Sequence, residues 1–381
     1  MDKGYIFNPL TTVAFFAIGL LIAANLAPAT AQSWRFGAVG DLDCTDNTQS
    51  NVNIFKRQTA SLILFIGDLL YECKQSDFDQ MWQPFAGKLK ASMGNHDDLD
   101  IIAKYGFPKD GKTEYYSFDY QGVHFLAMST EKDRAVGSSQ YNFVVNDINQ
   151  ACHDPKTNWI VVFFHKPSIT SPTKHPAEKN QFAIYQPVFN GCVDIVLQGH
   201  NHVYERNFPV TNDRTAPVIV TKQANYSEGS NATTYLTVGG GGHDLYKFDG
   251  TSPLSAKKFS EFGSIVFTVT PQTIKGEYYS TKAPTQVKDQ FGIYKDIAPQ
   301  VEPTPPPEEP NQPQPPNTEP QPPTINATLP PGGKYCNFLL DEKRALLPVN
   351  GQWILIKVAN GYSLVPMPED ARVPVGTECI P

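Results

Sequence analysis

Two histidines separated by one residue, His200 and His202, stand just past the mostly apolar run 193–197. Imidazoles spaced that way reach one pocket if the backbone turns there, and neutral imidazole is a common ligand for borderline metals. A His-x-His pair alone can also be a plain polar turn, so the rest of the chain has to decide. Four further apolar runs each end on a side chain able to bind a cation. Run 35–40 leads to Asp41, 62–67 to Asp68, 89–94 to Asn95 and 159–164 to His165. Tyr71, three residues beyond Asp68, adds a phenol whose phenolate suits a strongly Lewis-acidic metal. Carboxylate, amide and imidazole together mix hard and borderline donors. His96 and Asp97 follow Asn95 directly, and a carboxylate there can orient the imidazole as a general acid or phosphate-binding group.

These side chains need a scaffold that returns to one rim. The five runs read as β-strands, and the intervals from Asp41 to Asp68 and from Asp68 to Asn95 are equal, close to the ~30 residues of one strand-helix-strand unit. In an open α/β sheet, ligands bind beyond the carboxyl ends of the strands, where these residues sit. A polar stretch up to Ser61 reads as helical. The segment 113–130 reads as a hairpin turning at Gln121-Gly122, with His124 a strand residue. Tyr141, Val144, Val145 and Ile148 predict an amphipathic helix over 139–151, and His153 after it reads as exposed. His175 lies in a Pro- and Thr-rich loop and is a candidate for facing a substrate. Strands around 265–267 and 274–279 close the domain. Four glycines, Gly239 to Gly242, precede His243. They permit tight turns or close backbone approach, but no helix pattern follows to make them a phosphate cradle.

The chain opens with an apolar segment, Leu10 to Ala27, and the small-x-small pattern Ala29-Thr30-Ala31, which predicts a secretory signal over 1–31, with an uncleaved anchor as the alternative. A metal-binding domain is expected over 32–298. A linker is expected over 299–333, because from Glu302 to Pro331 the composition turns to Pro, Glu, Gln, Asn and Thr, a polyproline-type stretch roughly 90 Å long when fully extended. A small, disulfide-stapled, β-rich domain is expected over 334–381, as a stability cap or as a tether to a cell-envelope ligand. Six cysteines in an exported chain suggest three disulfides. Cys44 with Cys73, Cys152 with Cys192 and Cys336 with Cys379 are the favoured pairs. The net charge of −7 and the lack of a basic cluster argue against nucleic acid as the main partner. A small phosphorylated substrate stays compatible, because metal ions would supply the local positive charge.

Taken in order, Asp41, the GDLLY at 67–71, the GNHD at 94–97, His165 after a Val-rich strand and the GHNH at 199–202 resemble the calcineurin-like metallophosphoesterases. Tyr71 resembles the purple acid phosphatase branch in particular. The resemblance covers about Trp34 to Ser280 and implies an α/β fold, a four-layer αββα sandwich with a dinuclear metal site at the strand ends. It implies that Asp41, Tyr71 and His202 bind the first metal, usually iron. Asn95, His165 and His200 would bind a second, divalent ion (Fe, Zn or Mn), and Asp68 would bridge the two. His96, and with it His175, would position the phosphate and help protonate the leaving group. The implied activity is hydrolysis of phosphate monoesters by a metal-bound hydroxide, from two cations ~3.5–4 Å apart, with acid-phosphatase character. A phosphodiesterase or nucleotidase on the same site, and a noncatalytic metal-binding surface module, are the alternatives. Asp43 departs from the pattern, which usually has glycine or histidine there. Its carboxylate can hydrogen-bond a ligand, enter the coordination shell or pair with a base elsewhere.

Overall fold

The structure, a computed structural model, describes Met1, residues 33–106, 114–213 and 216–295, and five strands between 335 and 380. The expected signal after Met1 and the expected linker lie outside the described residues. The chain divides into two compact units, Met1–Glu302 and Pro303–Pro381.

The first unit opens with β1 (Trp34–Val39), α1 (Asp46–Arg57), β2 (Leu62–Phe65), α2 (Gln75–Trp82), β3 (Leu89–Ala91) and the short α3 (Leu99–Ile102). It continues through β4 (Tyr116–Tyr120), β5 (Val123–Ala127), α4 (Ser139–His153), β6 (Trp159–Phe163), α5 (Lys179–Phe189), β7 (Ile195–Gln198) and β8 (Tyr204–Asn207). The hairpin β9 (Val210–Asp213) and β10 (Ala216–Ile219) leads to β11 (Asn225–Ser227) and β12 (Thr234–Val238). The last strands are β13 (Ser255–Phe259), β14 (Gly263–Val269), β15 (Thr273–Ser280) and β16 (Val287–Tyr294). The hairpin and the amphipathic helix expected from sequence are β4-β5 and α4. β3 is shorter than the apolar run predicting it: its register with β2 ends at Ala91, and Ser92 N makes the last bond, to Phe65 O at 2.9 Å.

Two seven-stranded sheets form, in the orders β11-β16-β15-β14-β1-β2-β3 and β13-β8-β12-β7-β6-β5-β4. β1, β2 and β3 run parallel in the first sheet, and β5, β6, β7 and β12 run parallel in the second. The sheets face each other through aromatic side chains. Phe36 on β1 meets Phe125 on β5 edge to face at 5.2 Å, and Tyr204 on β8 stacks on Tyr278 of β15 at 3.9 Å. Arg206 on β8 adds a buried two-pronged pair to Asp289 on β16, at 2.7 and 2.9 Å. On the outer face of the first sheet, Phe65 packs against Phe78 and Trp82 of α2. Val144 and Ile148 of α4 and Phe182, Tyr185 and Phe189 of α5 cover the second sheet. Burial of these aliphatic and aromatic side chains, at ~25 cal/mol per Å², drives the layering. The result is the four-layer αββα sandwich.

Helix ends follow their sequences. Thr45 caps α1 through Thr48 N, Asp46 lies in the first turn and Lys56 and Arg57 in the last, all favourable to the helix dipole. Disulfides join Cys44 to Cys73 and Cys152 to Cys192, the pairs expected.

The second unit holds β17 (Tyr335–Leu340), β18 (Lys343–Pro348), β19 (Trp353–Val358), β20 (Gly361–Pro366) and β21 (Glu378–Ile380) in an antiparallel sheet ordered β20-β19-β18-β17-β21. Cys336 and Cys379 are register partners between β17 and β21. Their side chains lie outside the described residues.

Candidate metal centre

The expected ligands sit at the carboxyl ends of β1 and β2 in one sheet and of β6 and β7 in the other. Three of them take the left-handed backbone region: Asp41 at φ 57°, Asp68 at φ 51° and His200 at φ 66°. Non-glycine residues rarely adopt that region, which costs ~1–2 kcal/mol each, and such strain clusters at functional sites. The turns send successive side chains back over the strand ends. At Gly94, a Cβ would come within 2.2 Å of Asp68 Oδ1, so only glycine lets the loop after β3 approach that carboxylate.

Six of the seven candidate ligands converge. Tyr71 Oη donates to Asp68 Oδ2 at 2.8 Å and lies 3.3 Å from Asp41 Oδ1 and 3.0 Å from His202 Nε2. His165 Nε2 is 3.1 Å from Asp68 Oδ2 and 3.9 Å from Asp41 Oδ1. His200 Nδ1 is 3.3 Å from His165 Nε2, and its backbone N donates to Asp41 Oδ2 at 2.9 Å. His165 Nδ1 faces the carbonyl of Ile66 at 2.8 Å and His202 Nδ1 that of Asp244 at 2.6 Å. Each carbonyl fixes a ring with Nε2 aimed at the carboxylates, the backing expected of ligating histidines. Asp41, Asp68 and His165 are essentially fully buried. Asp68, His165 and His200 offer ligand atoms within 4.8 Å of one another. Asn95, the seventh candidate, is exposed on the rim, between Gly94 and His96.

The electrostatics suit a cation. Burial would raise the Asp68 carboxyl, but the His165 charge and hydrogen bonds from His165, His96 N and Tyr71 carry it well below the usual carboxylate range. Burial opposes charge on His165, yet Asp68 and Asp41 hold its pKa up to about 10. His200 is pushed down to about 3, by burial and then by the charge of His165. Burial, followed by Asp41 and Asp68, raises the Tyr71 phenol far above its ordinary value. A phenolate therefore forms there only against a strongly polarising ion.

Asp97 needs correction. Its carboxylate was expected to orient His96, but Oδ2 accepts from the backbone N of Asp68 and of Gly94, and Oδ1 from that of Leu69, each at 2.8 Å. Among the described residues no hydrogen bond joins it to the His96 ring. It braces the loop after β2 against the loop after β3. His96 donates its backbone N to Asp68 Oδ1 at 2.8 Å, and its exposed ring lies 4.8 Å from that of Tyr71. His175 does reach the site, its ring stacked on His200 at 4.1 Å. Burial, then the Lys174 charge, lowers its pKa. His124 is a buried strand residue held between Asp119 and Asp147, at 2.8 Å each, and His153 is exposed.

Four residues of the neighbourhood escaped sequence reasoning. Asn201, fully buried, binds the His175 backbone from both sides, accepting from its N at 3.2 Å and donating to its O at 3.1 Å. Tyr246 stacks on His202 at 4.0 Å, and Lys174 Nζ lies over the Tyr246 ring, 4.4 Å from its centroid. His243 stacks on Tyr71 at 3.7 Å with 5° between the planes, and its Nδ1 is 3.4 Å from Asp43 Oδ2. Asp43 thus pairs with a base, one of the three roles open to it. The glycines before His243 serve close packing. Gly241 lies so near the Gly40 carbonyl that a Cβ would approach within 2.2 Å, and its own carbonyl accepts from Asn51 Nδ2 at 2.8 Å.

Comparison with known proteins agrees with this geometry, since residues 35–204 match the calcineurin-like phosphoesterase family. Those residues form a calcineurin-like phosphoesterase domain. The phosphoesterase region is similar to purple acid phosphatase 22 of Arabidopsis thaliana, 29% identical over 257 residues that cover 60% of this chain and 56% of the relative. Purple acid phosphatase 18 of the same plant is 27% identical over 230 residues, 55% of this chain and 49% of its own. The chain spans about half the length of these curated relatives. A purple acid phosphatase from yellow lupin (Lupinus luteus) seeds shares the fold, with a TM-score of 0.56 at 23% identity over 71% of this chain and 55% of that one. Buried carboxylates facing backed imidazoles are the donor chemistry that the dinuclear centre of this family requires.

Proposed function

We propose that the chain is an exported phosphoesterase that hydrolyses phosphate monoesters of small molecules at a two-metal centre, with acid-phosphatase character. One observation carries the reading. Oδ2 of Asp68 lies 2.8 Å from Tyr71 Oη and 3.1 Å from His165 Nε2, so one carboxylate oxygen is shared by two groups of donors. Asp41, Tyr71 and His202 would hold one ion, which Tyr71 favours as iron. His165 and His200, joined by Asn95 from the rim, would hold a divalent ion (Fe, Zn or Mn), and Asp68 would bridge. When bound, such a pair supplies the charge that acidifies water and neutralises the phosphoryl oxygens.

The chain's own residues do the rest. His175 would offer an N–H to a phosphoryl oxygen or to the leaving oxygen, from a backbone that Asn201 fixes on both sides. His96, with backbone anchored to Asp68 and ring open to the rim, fills the matching place on the other side. Asp97 holds the two loops in register.

Elemental analysis and a visible spectrum of the purified chain, with hydrolysis of p-nitrophenyl phosphate beside its bis-ester, test the proposal. Two ions, a violet phenolate-to-iron band and a preference for the monoester are expected. Asp68→Ala should lose ions and turnover together, and His96→Ala should lose turnover with ions retained. Full metal occupancy in Asp68→Ala would overturn the bridging role. Preference for the diester would move the substrate class, and bound ions without hydrolysis of either ester would leave a binding module.

Export is supported by the two disulfides, which persist in oxidising compartments, and by the apolar N-terminal segment. Among the described residues no helix is long and apolar enough to cross a membrane. A mature N-terminus at residue 32 would support cleavage and an intact one an anchor. For the C-terminal module we propose two roles that one experiment separates, a tether to a cell-envelope ligand and a stability cap. Retention of a chain ending at residue 302 on the cell surface, equal to that of the full chain, would refute the tether and leave the cap.

A further inference from the structure

We infer that Asp43 and His243 form a clamp that fixes the ring of Tyr71 for metal binding, an inference that rests on the two-metal reading above. Tyr71 lies in a loop without regular structure after β2, and no strand or helix sets its ring. The Oη end has three polar neighbours, but the ring needs a support of its own to keep that end between Asp41, Asp68 and His202.

His243 provides it. Its imidazole lies 3.7 Å from the phenol ring with 5° between the planes, so the two faces are in full contact. The stacked imidazole is itself held at two points. Its backbone N donates to the carbonyl of Asp41 at 3.2 Å, which ties it to the strand end that carries a ligand. Its Nδ1 lies 3.4 Å from Asp43 Oδ2, and Asp43 Oδ1 accepts from Cys44 N at 2.8 Å, so the carboxylate cannot swing away freely. The Cys44–Cys73 disulfide then joins the residue after Asp43 to a residue two past Tyr71. The loop holding the ring and the loop holding the support are thus linked covalently on one side and by the ring stack on the other. A glycine run immediately before His243 lets its backbone come close enough to Asp41 for this.

Partners that orient a metal ligand without touching the ion typically change metal affinity by about ten- to a hundredfold when removed. The experiment uses the full chain, loaded with metal, and follows the ions left after timed dialysis against a chelator together with the visible band. In His243→Ala one ion should leave about ten- to a hundredfold faster than in the parent while the other is kept, and the band should weaken or move. His243→Phe, which keeps a flat ring, should restore retention and band. Asp43→Ala should fall between parent and His243→Ala. Melting of the metal-free variants separates this from a general loss of structure, since the clamp predicts a small change there and a large one in ion release. Release rates and band unchanged in His243→Ala, with the parent holding two ions, would overturn the clamp and leave the two-metal reading standing. If His243→Ala does not fold, Asp43→Ala decides by the same criterion. A parent chain that holds no ions overturns the two-metal reading itself and the clamp with it.

Discussion

Asp97→Asn separates two accounts of the loop after β3. The carboxylate accepts three backbone N–H groups at 2.8 Å, two on Oδ2 and one on Oδ1. Asparagine has one oxygen. It can keep the bonds from Asp68 and Gly94, but its NH2 group then faces the N–H of Leu69, donor against donor. One charge-assisted bond, ~1.5–3 kcal/mol, is lost, and an N–H is left unpaired at ~1–3 kcal/mol. Burial, despite these bonds, holds the Asp97 carboxyl up at about 6, so removing its charge offsets part of the loss; about 2 kcal/mol of destabilisation is expected, which lowers the melting temperature of a unit this size by about 4–8 °C. The assay is thermal unfolding of metal-free protein, so that ion binding does not mask the change. Turnover should fall too, because the unpaired N–H belongs to Leu69, the residue next to Asp68, and a displacement of ~1 Å at a reacting centre costs about a hundredfold. Had Asp97 served to orient His96, the variant would melt with the parent and behave in kinetics like His96→Ala. That pair of results would refute the bracing role.

Other perturbations follow from the same structure. Asn201→Ala removes both bonds that fix the His175 backbone, and kcat/KM should fall about ten- to a hundredfold while elemental analysis still finds the parent's ions. Asp289→Ala leaves Arg206 charged and buried between the sheets, and denaturant unfolding should show a loss of about 3–5 kcal/mol. His124 is buried on β5 with Asp119 on β4 and Asp147 on α4 facing its two nitrogens. Burial lowers its pKa, but the carboxylates raise it further, above the unfolded value of 6.5. Its stabilisation is therefore full below pH 6.5 and lost as pH rises through the raised folded pKa. Melting curves of the parent and His124→Asn should differ most at about pH 5–6 and converge in alkali; a gap independent of pH would refute this.

What could be read from the chain depended on locality. Strand ends were legible because an apolar run followed by a polar ligand type is written in consecutive residues, and equal spacing revealed the return to one rim. Cys44 and Cys73 were legible because each follows a predicted neighbouring strand end. The role of Asp97 was hidden for the opposite reason: its three partners are backbone N–H groups, which every residue has, and only the folded loops bring them to one carboxylate. His243 is 200 residues from Asp43, with a strand arrangement in between that no local pattern encodes. The unusual carboxylate at Asp43 was visible as a departure, but not the base it meets.

The left-handed backbone at Asp41, Asp68 and His200 also lay beyond sequence reasoning, and it bears on how the ligands stay in place. An Asp or His in that region is strained, so something must hold it there. At each of these positions a site carboxylate or a neighbouring strand end does so. Asp41 N donates to the Gly67 carbonyl at 3.1 Å, Asp68 N to Asp97 Oδ2 at 2.8 Å and His200 N to Asp41 Oδ2 at 2.9 Å. Asp41 therefore has two tasks, presenting Oδ1 to Tyr71 and His202 while Oδ2 pins the backbone of His200. On the two-metal proposal, removing its carboxylate would withdraw a donor from one ion and free a strained ligand of the other, so the two halves of the centre, each built from both sheets, would fail together.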